Sequence, residues 1–163
     1  MAVSKAKGNI MKQKANSTVI RAAEISDAPA IATLSEQLGY EVDPSDMKRR
    51  LALALEDCEQ AVFVAQNDDG EVIGWASVLL YKSLVISPMA LVGGLVVEKT
   101  YRRQGIGASL LAACEAWAKS NNCEAIRAHS SITRKEAHIF YAAKEYDILR
   151  TQYVLRKELN KSR

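Results

Sequence analysis

Arg102-Arg103-Gln104-Gly105-Ile106-Gly107-Ala108 puts two cations and two glycines into one short loop, between the strand-like run Leu91–Val97 and an apolar helical pattern that starts at Ser109. Residues of these types in this order can hold an anion. Glycines let backbone N–H groups turn toward a phosphate, a helix N-terminus adds partial positive charge, and arginines add formal charge. A pyrophosphate is the guest this chemistry suits. The two glycines also satisfy a simpler reading, in which a tight strand-to-helix turn needs positive φ angles and binds nothing. Two familiar phosphate loops do not fit. A Walker loop needs Lys-Ser/Thr after its last glycine, where this chain has Ala108-Ser109. A dinucleotide fingerprint needs a small residue where Leu110 stands and an acidic residue closing the next strand, whereas Glu124 precedes that strand.

The elements that must position this loop follow from periodicity and punctuation. Thr18 to Ala23 reads as a first strand, and Ser26 or Asp27 as a helix cap with Pro29 in the first turn. That helix runs to about Leu38 and ends at Gly39; a second starts near Pro44 with Met47, Leu51 and Leu55 on one face. Ala61 to Gln66 and Val72 to Tyr81 form a hairpin through Asn67-Asp68-Asp69-Gly70. After Pro88 comes the fourth strand, then a helix from Ala108 to about Asn121 and a fifth strand from Glu124 to Ser130. Lys135 to Lys144 reads as a helix, and Ile148 to Arg150 with Gln152 to Lys157 as two closing strands. The class is α/β with no internal repeat.

Other residues could take part in chemistry. Gly93-Gly94 inside the fourth strand marks a bulge or the close approach of another backbone or a ligand, unless packing alone requires it. Phe140-Tyr141, between Ala137 and Ala142 on a helix, are core aromatics or functional ones. Glu36, Glu41, Asp43 and Asp46 gather in the first helical region, where they are a weak hint of a cationic acceptor or solvated surface residues. His129 and His138, the two histidines of the chain, sit where histidines are usually structural. Cys114, at helical spacing with Leu110, Leu111, Trp117 and Ala118, reads as core.

The loop matches the Arg/Gln-x-x-Gly-x-Gly/Ala signature and resembles that of the GCN5-related N-acetyltransferases. Gly94-Leu95-Val96-Val97-Glu98 with Thr100-Tyr101-Arg102 is similar to that family's lead-in strand, and Arg134-Lys135-Glu136-Ala137-His138-Ile139-Phe140-Tyr141 resembles an R-x-E-A-H-x-F-Y helix of small bacterial members. The likeness runs from about Thr18 to Leu159. It implies a mixed, mostly antiparallel sheet of six to seven strands with about four helices. It also implies acetyl-CoA as acetyl donor and a small primary amine, or a peptide amine, as acceptor by direct attack in a ternary complex. On this resemblance Arg102, Arg103, Gln104, Gly105, Ile106, Gly107 and Ala108 hold the pyrophosphate, and main-chain groups of Leu95, Val96 and Val97 pair with the pantetheine arm. One of those amides would polarise the thioester carbonyl. Arg134 would contact the cofactor, and Tyr141 would protonate the leaving thiolate, with Tyr146 as a lesser candidate.

Three departures from the pattern stand out. Many members carry an acidic residue where Gly93 and Gly94 stand, asparagine where Arg134 stands, and glycine where Glu145 stands. The first leaves the base that deprotonates the amine unassigned; water, or a water chain to Glu36, Glu41 or Asp43, could serve, while Glu98 lies on the cofactor side. It also motivates the rival reading, a non-catalytic acyl-CoA-binding or sensor domain.

Composition narrows the class. With 163 residues, 48% hydrophobic and 25% charged, the chain can bury one core, so 17–163 is expected to be a single domain. Residues 1–16 hold Lys5, Lys7, Lys12 and Lys14 and no acid, which predicts a disordered basic tail and makes Met11 an alternative start. Setting those four lysines aside turns the net charge of +3 into −1, which argues against a nucleic-acid surface. No run approaches the ~20 apolar residues that span a bilayer, and no signal segment follows the lysines, so the expected location is the cytoplasm, without a membrane partner. Cys58, Cys114 and Cys123 lack metal-type pairing; no metal is expected. A homodimer is the expected assembly, by resemblance.

Overall fold

A computed structural model describes residues 17–159; the basic tail and the alternative start lie outside the described residues. These form two compact units, one ending at Arg127 and the other beginning at Ala128. The first holds α1 (Ala28–Glu36), α2 (Pro44–Glu56) and α3 (Ile106–Ser120), and the second holds α4 (Lys135–Ala142). Strands β1 (Val19–Ala22), β2 (Gln60–Gln66), β3 (Val72–Tyr81), β4 (Met89–Val97) and β5 (Ile126–Ala128) lie in that spatial order in one sheet. Neighbours from β1 to β4 are antiparallel, and β5 follows β4 through α3, the kind of long crossover a parallel neighbour needs.

Alternation along β2 sorts the core into two clusters. Val62 and Val64 face α1 and α2, packing with Ala28, Ile31 and Leu51, while Ala61, Phe63 and Ala65 face α3. On the α3 side Ile106, Leu110, Cys114 and Ala118 recur every four residues and meet Ala76, Val78, Ala90 and Val97. Leu110 is completely buried, a transfer worth about 1.5–3 kcal/mol. Burial also pushes the Cys114 thiol up to about 12, as expected of a core cysteine.

Local chemistry fixes the joints. Asn67 Oδ1 accepts from the N–H groups of Asp69 (3.1 Å) and Glu71 (2.8 Å), and Gly70 takes φ +82°, which closes the β2–β3 hairpin. Arg21 on β1 grips the buried Asp27 with both Nη atoms (2.7 and 2.8 Å), and Asp27 also accepts from the Glu24 N–H (2.8 Å). The Arg21 hydrogen bond holds the Asp27 carboxyl below the usual carboxylate range. Asp27 stands at the N-cap position of α1, as expected, but its side chain makes no cap bond to that helix and instead closes the 3-10 turn Ile25–Asp27.

In the second unit α4 ends in a Schellman turn. Tyr146 N–H donates to Tyr141 C=O (3.1 Å), Glu145 N–H donates to Ala142 C=O (3.1 Å), and Glu145 has φ +64°. Gly39 closes α1 in the same way, with Tyr40 N–H on Ser35 C=O (3.2 Å), and Asn122 closes α3 with Cys123 N–H on Ala118 C=O (3.0 Å). Beyond Glu145 the expected six to seven strands fall short. Among the described residues there are five strands, and neither Ile148–Arg150 nor Gln152–Lys157 is one of them. Tyr153, Val154 and Leu155 are 97%, 95% and 90% exposed, so no neighbouring strand satisfies their backbone. The expected count of four helices agrees with the four α-helices described.

Candidate active site

β4 carries the first part of the site. Its register against β3 runs Ser77↔Gly94 and then Val78↔Val92, which leaves Gly93 as an extra, bulged residue. Both glycines have a packing cause within the sheet. A Cβ on Gly93 would lie 2.8 Å from Ser77 Oγ, and one on Gly94 would lie 2.6 Å from the Trp75 ring. β5 has three residues to the nine of β4 and meets it near its start, where Ala90 N–H donates to Ala125 C=O (2.9 Å). Three residues cannot run beside all nine. Val96 and Val97 are buried and Leu95 is half-buried, so these residues offer main chain rather than reactive side chains.

The loop follows a 3-10 turn at Lys99–Tyr101. Tyr101 is fixed at its far end by Asn67 Nδ2, 3.2 Å from its hydroxyl. Arg103 takes φ +65° and Gly105 φ +83°, so the chain reverses before α3 in backbone space that L-residues seldom use. Gly105 has no atom within 4 Å of the place a Cβ would take, so its φ requires glycine, and crowding does not. Ser109 N–H donates to Gly105 C=O (3.0 Å), opening the helical ladder, so the amides of residues 105–108 precede the first intrahelical bond. Arg103, Gln104 and Gly105 are exposed, Gly107 and Ala108 half-buried, and Ile106 anchors the turn in the core. A shallow cavity of ≈ 250 Å³ opens here, lined by Thr18, Ile20, Gln104, Gly105, Ile106 and Ser109.

Arg102 is differently employed. Its Nε donates to Val97 C=O (2.9 Å) and its Nη2 to Gln37 Oε1 (3.1 Å), while Gln37 Nε2 donates to Glu98 Oε2 (2.5 Å). Gln37 carries no sequence signal, because a surface glutamine at a helix end is commonplace.

Of the carboxylates in the first helical region, Asp43, a candidate base, and Asp46 have other work. Asp43 caps α2 by accepting from Ser45 N–H (2.8 Å), and its bond with the Ser45 hydroxyl leads the causes that lower its pKa. Asp46 pairs with Arg49 (2.6 Å) and Arg50 (2.5 Å), the Arg49 hydrogen bond being the main cause of its lowered pKa. Both are made weaker bases. Glu36 and Glu41 are exposed.

In the second unit Arg134 is the residue before α4, exposed, and His138 Nε2 lies 2.9 Å from Ser131 C=O. Tyr141 is half-buried between two rings, Phe140 edge-on at 5.2 Å and Tyr146 tilted at 5.3 Å. The Tyr146 contact is the apolar clasp that commonly accompanies a Schellman end. Among the described residues no group of three or more His, Cys, Asp or Glu could hold a metal ion. No helix there is long and apolar enough to cross a membrane.

Residues 26–145 match the family model of the acetyltransferase (GNAT) family. The chain belongs to that family. It is an acyltransferase by this membership, with the family's fold of a central sheet and flanking helices. An aminoglycoside N(6')-acetyltransferase type 1 from Stenotrophomonas maltophilia is 35% identical over 133 residues, covering 79% of this chain and 86% of the relative. Among solved structures, the aminoglycoside N-acetyltransferase AAC(6')-Iy in complex with CoA superposes with a TM-score of 0.81 at 20% identity, over 90% of this chain and 99% of that one. AAC(6')-Iy with the bisubstrate analogue CoA-S-monomethyl-acetylneamine gives 0.78 at 20% identity, over 87% and 99%. At that identity the two structures are likenesses of fold.

Proposed function

We propose that this acetyltransferase moves the acetyl group of acetyl-CoA onto a primary amine of an aminoglycoside-like small molecule. The observation that carries the cofactor half is the turn before α3, where amides 105–108 precede the helical ladder beside Arg102 and Arg103. This donor set suits a pyrophosphate, which needs several N–H groups and positive charge at one place. The acceptor half rests on the 35% identical relative, an aminoglycoside N(6')-acetyltransferase.

Acetyl-CoA supplies an activated thioester. Gly105 to Ala108 bind its pyrophosphate with Arg103, main-chain groups of Leu95, Val96 and Val97 hold the pantetheine arm, and one of those amides donates to the carbonyl oxygen as charge develops there. Arg134 assists at the cofactor. The amine attacks as the neutral base, and the carbon–nitrogen bond forms as the carbon–sulfur bond breaks. Tyr141 O–H gives its proton to the departing sulfur, and the proton released by the new amide restores it. Asp43 and Asp46 take no proton in this scheme, because both are committed to hydrogen bonds that favour their charged forms. The R-x-E-A-H-x-F-Y likeness supports a place in the small bacterial subgroup. Cytoplasmic location and a homodimer complete the reading.

The test is thiol release from acetyl-CoA with a panel of aminoglycosides, polyamines and peptide N-termini. Wild-type protein releases free thiol with at least one aminoglycoside, and Tyr141→Phe slows it roughly ten- to a thousandfold. An unchanged Tyr141→Phe rate removes that residue from the chemistry. Coenzyme A binding without turnover on any amine replaces the enzyme by an acyl-CoA-binding domain.

A further inference from the structure

Gln37 is the residue that ends α1, and its side chain reaches 61 and 65 residues along the chain to Glu98 and Arg102. The amide uses both of its ends. Its oxygen accepts from a cation and its nitrogen donates to an anion, so the two charges that flank the 3-10 turn are joined through a neutral group. The remaining atoms of the ring are also engaged. Glu98 Oε1 accepts from Lys99 N–H (2.8 Å), Tyr101 N–H donates to Glu98 C=O (2.9 Å), and Arg102 Nε holds Val97 C=O (2.9 Å). The result is a closed circuit around the turn that leads into the glycine loop.

From this circuit we infer that Gln37 is a positioning residue for the cofactor loop, fixing the Arg102 guanidinium so that the amides of Gly105 to Ala108 face one anion. The inference rests on the coenzyme A reading and deepens it. Arg102 then serves chiefly as a strut, and Arg103, exposed in the loop, as the charge offered to the anion. Gln37 also immediately precedes the 38–43 connection into α2, so the strut ties the cofactor loop to that connection. The amide meets both demands with two separate atoms at the end of one side chain. Glutamate would satisfy Arg102 and repel Glu98; leucine would leave both charges without their partner.

Coenzyme A affinity, measured by calorimetry on the full-length chain, tests this, with thermal midpoints recorded for every variant. Gln37→Ala and Gln37→Glu are each expected to weaken binding roughly tenfold, the scale of one lost charge-assisted hydrogen bond. Adding Glu98→Gln to Gln37→Glu reverses the polarity of the amide–carboxylate contact, restores a donor between the two groups and leaves Lys99 N–H its acceptor. The double variant is expected to bind within about threefold of wild type, because residues in one hydrogen-bond network couple and their effects do not add. Failure of that rescue, with both single variants weakened, would reduce Gln37 to a generic structural residue and overturn the inference. So would equal binding by all four proteins. Absence of coenzyme A binding by the wild type is a distinct result: it removes the cofactor reading itself and the inference with it.

Discussion

Met89–Val97 and Gln152–Lys157 are both written in β-forming residues, with Met-Ala-Leu-Val-Gly-Gly-Leu-Val-Val in one and Gln-Tyr-Val-Leu-Arg-Lys in the other. The former is β4, paired with β3 and covered by α3 on one face; the latter has no strand partner and leaves Tyr153, Val154 and Leu155 almost fully exposed. Composition alone would favour Gln152–Lys157 as the strand, since it lacks glycine. The difference lies in what surrounds each stretch. β propensity is largely a measure of fit to neighbours, and a backbone without a ladder gains nothing from the right side chains.

Three measurements sharpen or break this contrast. Leu110→Ala empties the part of α3 that lies over β4's side of the core and should cost about 2–5 kcal/mol in a denaturant melt. A loss under about 1 kcal/mol would mean that α3 does not hold the sheet in this way. Gly94→Val tests the strand itself, because its Cβ would meet the Trp75 ring at 2.6 Å. Overpacking of this kind costs about 1–3 kcal/mol, and Trp75 fluorescence should shift with it. The smallest effect belongs to the unpaired stretch. Leu155→Ser should change stability by no more than about 0.5 kcal/mol, as surface substitutions do. A loss comparable to that of Leu110→Ala would show that the segment is paired in solution.

The same contrast explains what could be read in advance. β3 has its expected bounds, Val72–Tyr81, because a local signal, Asn67 to Gly70, sets the register at one end. The glycine loop was legible because its chemistry lies within seven consecutive residues. The helix behind it starts at Ile106, two residues before the expected Ala108, since Gly107 is accepted inside the first turn. Glu145 keeps the positive φ that the family's glycine would have eased, and α4 pays for it with strain of about 1 kcal/mol or more. Features set by distant residues stayed hidden. Gly93 and Gly94 answer to Ser77 and Trp75 on another strand, Gln37 acts on residues beyond position 97, and the last two strands needed a partner that no local pattern can supply.

The bulge at Gly93 has one more effect, on parity. Ala90 and Val92 stand opposite Leu80 and Val78, whereas Leu95 and Val97 stand opposite Ala76 and Gly74, so the α3 side of β4 is even-numbered before Gly93 and odd-numbered after it. Pairing all nine residues of β4 in plain alternation, with Gly93 drawn into the ladder, would be a frame error in space. Leu95 and Val97 would turn away from α3, Val96 would turn toward it, and the loop that follows would leave the sheet from the wrong face.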